Sequence, residues 1–263
     1  MIGRPGIRAA NISGESTGQA GSDNFHRYEL KYFLPVEEMS EIRKHIAPFV
    51  THDKHSAVLA DKCYSVRSIY FDSDDLLFYF EKLDSVNIRK KLRVRTYNRA
   101  EDGAPAFLEI KRKFGKRGFK ERVMLPLGLV DEALNGKQSS EVLADRPFTD
   151  RKVLDRFRFN MKVKELKPVV LVTYEREAFI GLENERIRVT FDQNIRSLIN
   201  PRLDQIFEDE SLRVFADHCF VLELKYDMQM PRWMAQLIRL LDLRSEPYSK
   251  YCHGIDAWTP HAK

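Results

Sequence analysis

The sequence predicts an α+β protein built on an antiparallel sheet. Three observations carry that prediction. Short runs alternate polar and apolar residues with the period of two that a strand requires, most clearly KLRVRTY and AFLEIKRKF on either side of a turn at 101–105. Such runs recur along the chain, joined mostly by hairpin-length turns or interrupted by separated amphipathic helices, with no fixed-period repeat. The 263 residues are 43% hydrophobic and 32% charged, enough for a core but rich in charge.

Residues 1–24 are Gly/Ser-rich and nearly free of large apolar side chains, which predicts a disordered leader before a domain over 25–263. RYELKYFL, 27–34, is the first strand, with Glu29 and Lys31 on one face. Pro35 suits the first position of a helix that buries Val36, Met39, Ile42 and Ile46 and ends near Pro48. YSVRSIYF, 64–71, is a strand, after which Asp72 and Ser73 cap a short helix carrying Leu76, Leu77, Phe80 and Leu83. The basic hairpin spans 88–122. Residues 128–145 read as weakly helical and 149–164 as more strongly so, capped by Thr149, with Val153, Leu154, Phe157 and Met161 on one side. These helices read as an insertion into the sheet. Strands resume at 168–179 and 186–192 around a turn at 181–184, and again at 219–227, leaving 195–215 ambiguous. Residues 231–243 form an amphipathic helix through Met234, Leu237, Ile238 and Leu241, and the tail PYSKYCHGID reads as irregular.

The hairpin carries the functional signal. Lys91, Arg93, Arg95 and Tyr97 share one strand face, and Glu109, Lys111 and Lys113 share one on the returning strand, with Lys120 and Arg122 beyond. Like charges facing each other in a sheet are destabilising, so something must compensate. E-x-K recurs as Glu29-Leu30-Lys31, Glu109-Ile110-Lys111 and Glu223-Leu224-Lys225. Arg93-Val94-Arg95, Arg186-Ile187-Arg188 and Lys120-Glu121-Arg122 repeat the spacing, and Tyr174-Glu175-Arg176 adds a polar pair. The set implies one shared charged surface. Two architectures fit: an open sheet with that face in water, or a sheet closed into a barrel with that face inward. A closed lumen would need anions, and phosphate oxygens suit arginine forks.

The net charge of +5 favours an anionic partner without naming it. Cys63, Cys219 and Cys252 are odd in number and lack a C-x-x-C pair, pointing to a reducing compartment and no zinc cluster. No apolar run is long enough to span a bilayer and no signal peptide is visible, so a cytoplasmic protein is expected. Tyr28, Tyr70 and Tyr97 form no stacking motif for nucleic acid. His52, His55, His218 and His253 lack metal-ligand spacing.

RYELKYF, SIYFD, KLRVRTY, FLEIKRK, FKERV, TYEREAF, RIRVTFD, VLELKY and PYSKYCHG, in that order, resemble the VTC domain of polyphosphate polymerases, within the wider CYTH or triphosphate tunnel group. The resemblance covers about 25–253. It implies a closed antiparallel eight-stranded β-tunnel with peripheral helices, a divalent cofactor (Mn²⁺ or Mg²⁺), and synthesis of polyphosphate from ATP. By motif, Lys31, Arg93, Arg95, Lys111, Arg176, Arg188 and Lys250 would act on the transferring phosphates. Lys120, Arg122 and Lys225 would bind phosphate, with Tyr174 and Ser249 donating hydrogen bonds. Glu223 would hold the metal, assisted by Glu29 and Glu109. A membrane-protein partner for export is implied as well. The wider group opens on E-x-E-x-K, whereas Arg27 replaces the first Glu here, which favours transfer to phosphate over hydrolysis. A non-catalytic polyphosphate-binding module and a metal-dependent triphosphatase remain the alternatives.

Overall fold

The computed structural model describes residues 27–98, 103–115, 117–136, 142–143 and 145–259. The leader expected over 1–24 lies outside the described residues, as do Glu101 and Asp102 of the hairpin turn. The strands are β1 (Arg27–Pro35), β2 (Val50–His52), β3 (Cys63–Asp72), β4 (Ile88–Tyr97), β5 (Pro105–Phe114), β6 (Arg117–Pro126), β7 (Lys167–Gly181), β8 (Arg188–Ile199), β9 (Arg213–Val214) and β10 (Cys219–Asp227). The helices are α1 (Met39–Ile46), α2 (Lys54–Ala57), α3 (Leu77–Leu83), α4 (Val130–Asn135), α5 (Phe148–Val163), α6 (Arg232–Leu240) and α7 (Lys250–Asp256).

All the strand pairings are antiparallel, in the order β1-β10-β8-β7-β3-β4-β5-β6, with β2 added on β7 and β9 on β8. The expected closure is corrected: β1 and β6 do not pair among the described residues, so the sheet is an open, curled half-barrel. Its curl is strong enough that Lys225 on β10 acts electrostatically on Lys111 on β5, although four strands separate them in the ladder.

The alternation read from the sequence sorts the side chains as expected. On the convex face Leu92, Val94, Leu108, Ile110, Val123 and Leu125 pack with Leu154 and Phe157 of α5. Tyr32, Val189, Phe191, Leu222 and Leu224 pack with Met39, Ile42 and Ile46 of α1 and Met234 and Leu237 of α6. The helices therefore cover the apolar face and leave the charged face concave.

Local expectations differ at five places. Val36, expected on the buried face of the first helix, lies in a 3-10 turn at Val36–Glu38 ahead of α1 and is exposed. The Asp72 carboxylate accepts the backbone N–H groups of Phe78 and Tyr79, and Ser73 Oγ accepts that of Leu77, so α3 starts a turn later than expected. Its phase turns Phe78 inward and leaves Phe80 and Leu83 exposed. Helix α5 begins at Phe148 after Pro147, with no side-chain cap from Thr149. The ambiguous stretch extends β8 to Ile199 and adds a 3-10 turn at Leu203–Phe207 and the short β9.

The tail is the largest difference. It forms α7, buried at Lys250, Tyr251, Cys252, Gly254 and Ile255. It sits on the concave face, where Val66, Tyr70, Val170, Val172, Tyr174 and Val221 pack against Tyr251, Cys252 and Ile255. Gly254 permits this approach, because a Cβ there would meet Val172 Cγ2 at 2.9 Å and Ser197 Cβ at 3.4 Å.

Candidate anion-binding site

Register brings the charged residues together. Lys31 lies opposite Glu223, and Glu29 opposite Lys225, across β1 and β10; Arg93 lies opposite Glu109, Lys91 opposite Lys111, and Lys111 opposite Lys120. Arg176 on β7 faces Asp192 on β8, and Arg188 faces Lys225. Among the predicted residues Arg188 and Arg122 stand exposed on the concave face, Arg122 over the Phe107 ring at 5.1 Å.

Carboxylates hold one set of cations. Glu109, fully buried, accepts from Arg93 Nη2 at 2.5 Å and Nε at 2.7 Å and forms an ion pair with Lys120 Nζ at 2.6 Å. Asp192 accepts both arms of Arg176 at 2.6 and 2.7 Å and Lys250 Nζ at 2.6 Å. Glu223 lies among Lys225 at 2.8 Å, Lys31 at 3.4 Å, Lys250 at 3.5 Å and Arg176 at 3.7 Å. Burial opposes ionisation of Glu223, but Lys225, Lys31, Lys250 and Arg176 outweigh it and hold its carboxyl well below the usual range. Burial likewise opposes Glu29, and Lys225 and Lys31 hold it at about 2.

A second set has no carboxylate partner among the described residues. Arg95 donates to two hydroxyls, Ser68 Oγ at 2.9 Å and Tyr174 Oη at 3.2 Å. Lys91 donates to Ser249 Oγ at 2.9 Å and lies 5.0 Å from the Tyr251 ring centroid. Burial pushes the Lys91 ammonium down to about 8. Lys111 is flanked by cations on the concave face; Arg93 first, then partial loss of water around the ammonium and Arg95, push it well below the ordinary lysine range. Tyr70 accepts from Arg93 Nη1 at 3.1 Å, and Arg93, Arg95 and Lys91 overcome its burial to bring the phenol down to about 8. The concave face is therefore a polar cradle with unbalanced positive charge, suited to an anion with several oxygens.

Two assignments made by motif shift in meaning. Ser249 caps α7, accepting the backbone N–H of Cys252 at 3.4 Å and the Lys91 ammonium. Glu109 is placed among Arg93, Arg95, Lys120 and Lys111, the charges that hold its carboxyl low against burial. Arg93 grips its Oε2, and the Lys120 ammonium lies 2.6 Å from its Oε1. Glu29 and Glu223 are likewise met by cations. They share Lys31 and Lys225 as partners, and hard ions such as Mg²⁺ take one or two carboxylates together with substrate phosphates.

The sequence reading missed Asp192, Lys91 and Tyr70 as site residues. Asp192 stands in phase with Arg188 and Thr190 on the RVTFD strand, and Lys91 in phase with Arg93, so alternation held the signal for both. Tyr70 joins through the β3–β4 register, opposite Arg93.

The fold and site define an α+β protein with a basic concave sheet. The VTC domain family model matches residues 26–259, and the chain belongs to that family. It is 24% identical over 287 residues to vacuolar transporter chaperone complex subunit 4 of Schizosaccharomyces pombe, covering 94% of this chain and 39% of that protein. The subunit 4 of Trypanosoma cruzi is 22% identical over 294 residues, covering 97% and 37%. The chain thus spans about two fifths of the length of these relatives. A solved Hippeastrum protein, described as having a dominant triphosphatase activity, aligns at 15% identity and a TM-score of 0.46, over 90% of this chain and 98% of that one, a likeness too distant to carry weight. No helix among the described residues is long and apolar enough to cross a membrane.

Proposed function

We propose that the chain is a polyphosphate polymerase, transferring the terminal phosphoryl group of ATP to a growing polyphosphate chain on the basic concave face. One observation carries the reading: Lys91, Arg95 and Lys111 lack carboxylate partners beside cations fixed by Glu109, Asp192 and Glu223. Family membership supports it. Phosphoryl transfer asks a protein mainly for in-line positioning and neutralisation of charge. The acceptor, a phosphate oxygen, is already anionic and needs no Ser or Cys nucleophile. Arg93, Arg95, Lys111 and Arg176 would grip the phosphates, with Lys31, Lys120, Arg122, Arg188, Lys225 and Lys250 extending the contacts. Tyr174 and Ser249, fixed by Arg95 and Lys91, complete the polar lining.

Mn²⁺ or Mg²⁺ would be held by Glu223 with Glu29, and would neutralise charge on phosphate oxygens when bound. Polyphosphate would give Lys31 and Lys225 other partners, which frees Glu29 and leaves Glu223 with Lys250 and Arg176 alone. The relatives are named as subunits of a complex, and a membrane-protein partner and a cytoplasmic location go with this reading.

A second reading is a non-catalytic polyphosphate-binding module. The ring of cations around Glu223 favours it, since Glu223 would then only position lysines. The test is to incubate wild type and Glu223→Gln with ATP and Mn²⁺ or Mg²⁺ and resolve the products by size. Long phosphate chains from wild type and none from the variant are expected, with polyphosphate binding retained by both. Free phosphate alone would indicate a triphosphatase, and tight polyphosphate binding without product would indicate the module. Near-normal synthesis by Glu223→Gln would remove that residue from the mechanism.

A further inference from the structure

Three cations on the charged side of the molecule are not used by the central site. Arg89 lies two residues before Lys91 on β4 and so shares the concave face with Lys91, Arg93 and Arg95. Lys113 stands in the same relation to Lys111 on β5, and Arg89 and Lys113 are direct register partners. Lys82 comes from the last turn of α3, which packs against β4. None of the three has a carboxylate partner among the described residues.

These cations also act on each other. Burial, Arg89 and Lys82 push the Lys113 ammonium down, and burial and Arg89 do the same to Lys82. Lys31 contributes to both, so the rim is within electrostatic reach of the central site. Lys91, between α7 and the rim, connects the two. From Arg95 to Lys91, the ends of the central site on β4, the strand advances four residues, about 13 Å at the rise of a β-strand, and Arg89 lies two residues beyond. That central span is longer than an extended triphosphate. A short ligand can fill the centre without touching the rim, while a longer chain reaches both.

We propose that Lys82, Arg89 and Lys113 form a second anion subsite at the α3–β4–β5 rim, taking the outer phosphates of an extended linear polyphosphate whose inner phosphates occupy the central site. The proposal rests on the polyphosphate reading above. It makes chain length a determinant of affinity, read by the rim and not by the central cations.

The experiment compares tripolyphosphate and long-chain polyphosphate binding at one ionic strength, for wild type and for Lys82→Gln/Arg89→Gln/Lys113→Gln. Partly exposed ionic contacts are individually weak, so the triple variant should lose about tenfold in affinity for the long chain, about 1.4 kcal/mol in all. Its tripolyphosphate affinity should stay within about twofold of wild type, and Arg89→Gln alone should show a smaller loss with the same selectivity. Equal losses for both ligands would reveal a general electrostatic field and overturn the subsite, as would no loss for either. The same variant-dependent loss for a single-stranded nucleic acid would overturn the assignment to polyphosphate. If wild type bound no tripolyphosphate, the central reading would fail instead, a result separable from failure of the rim. Melting temperatures on the same preparations verify folding, and relief of repulsion should keep the triple variant at or above wild type.

Discussion

Arg93 and Lys111 look alike in sequence, each a cation on the same face of the basic hairpin, but their surroundings give them opposite energetic roles. Arg93 is buried and bonded to the buried Glu109. Breaking such a pair typically costs about 3 kcal/mol, because the remaining charge stays out of water. Arg93→Ala should therefore lower both the melting temperature and triphosphate affinity. Lys111→Ala removes a cation that its neighbours repel, so its melting temperature should hold or rise while triphosphate affinity falls about tenfold, the effect of losing one charge-assisted contact. Thermal melts and titration of both variants check the contrast. A destabilised Lys111→Ala would show that Lys111 is a structural partner.

Lys91 gives the residue scale a pH dependence. Its ammonium is lowered to about 8 from an ordinary 10.5, so between those values the unfolded chain retains a proton that the folded protein has released. By linkage, this group raises stability as pH increases through that window. Anion binding runs the other way, since it needs the charged form. Tripolyphosphate affinity should fall as pH rises through about 8, with Tyr70 ionising in the same range and adding to the loss. Lys91→Met should flatten this part of the profile, and a wild-type affinity constant across it would refute the assignment. Titration in buffers of different ionisation enthalpy should show proton uptake on binding near pH 8.

At the scale of elements, α7 decides the shape of the site. Its apolar side fills one part of the concave face while Ser249 and Lys250 at its start engage Lys91, Asp192 and Glu223. Tyr251 Oη bonds to Asp72, the residue that also caps α3, so the tail and α3 are fastened to one carboxylate. Gly254→Ala would place a methyl group against Val172 and Ser197, a clash of the kind that costs about 1–3 kcal/mol in a packed core. The variant should melt lower and bind tripolyphosphate more weakly, because displacing α7 moves Lys250 away from Asp192. An unchanged affinity alongside a lowered melting temperature would separate the packing of α7 from its role in the site.

The whole molecule presents cations from most of its long strands to one concave space, so an extended anion can meet several strands at once. A ligand that binds only the folded state stabilises it by mass action, by about 2.7 kcal/mol at a concentration one hundred times its Kd. Tripolyphosphate should therefore raise the melting temperature well beyond sulfate at equal ionic strength. Equal shifts would indicate a generic basic surface.

Much of this molecule follows from alternation in its sequence. Leu92 and Val94 against Arg93 and Arg95, or Leu222 and Leu224 against Glu223, fix which face is core and which is charged, because successive strand side chains must point to opposite sides. The family could likewise be read from its ordered motifs. Three things required the tertiary structure. The tail became a buried helix because its apolar residues match a gap on the concave face, which no local pattern displays. The sheet stays open, with β1 and β6 unpaired among the described residues, an outcome settled between strands distant in sequence. The division of cations into paired and unbalanced sets depended on which carboxylate each one meets across the sheet. Arg93 meets Glu109 and Arg176 meets Asp192, whereas Lys111 meets Lys91 and Lys120, and register between strands sets those encounters.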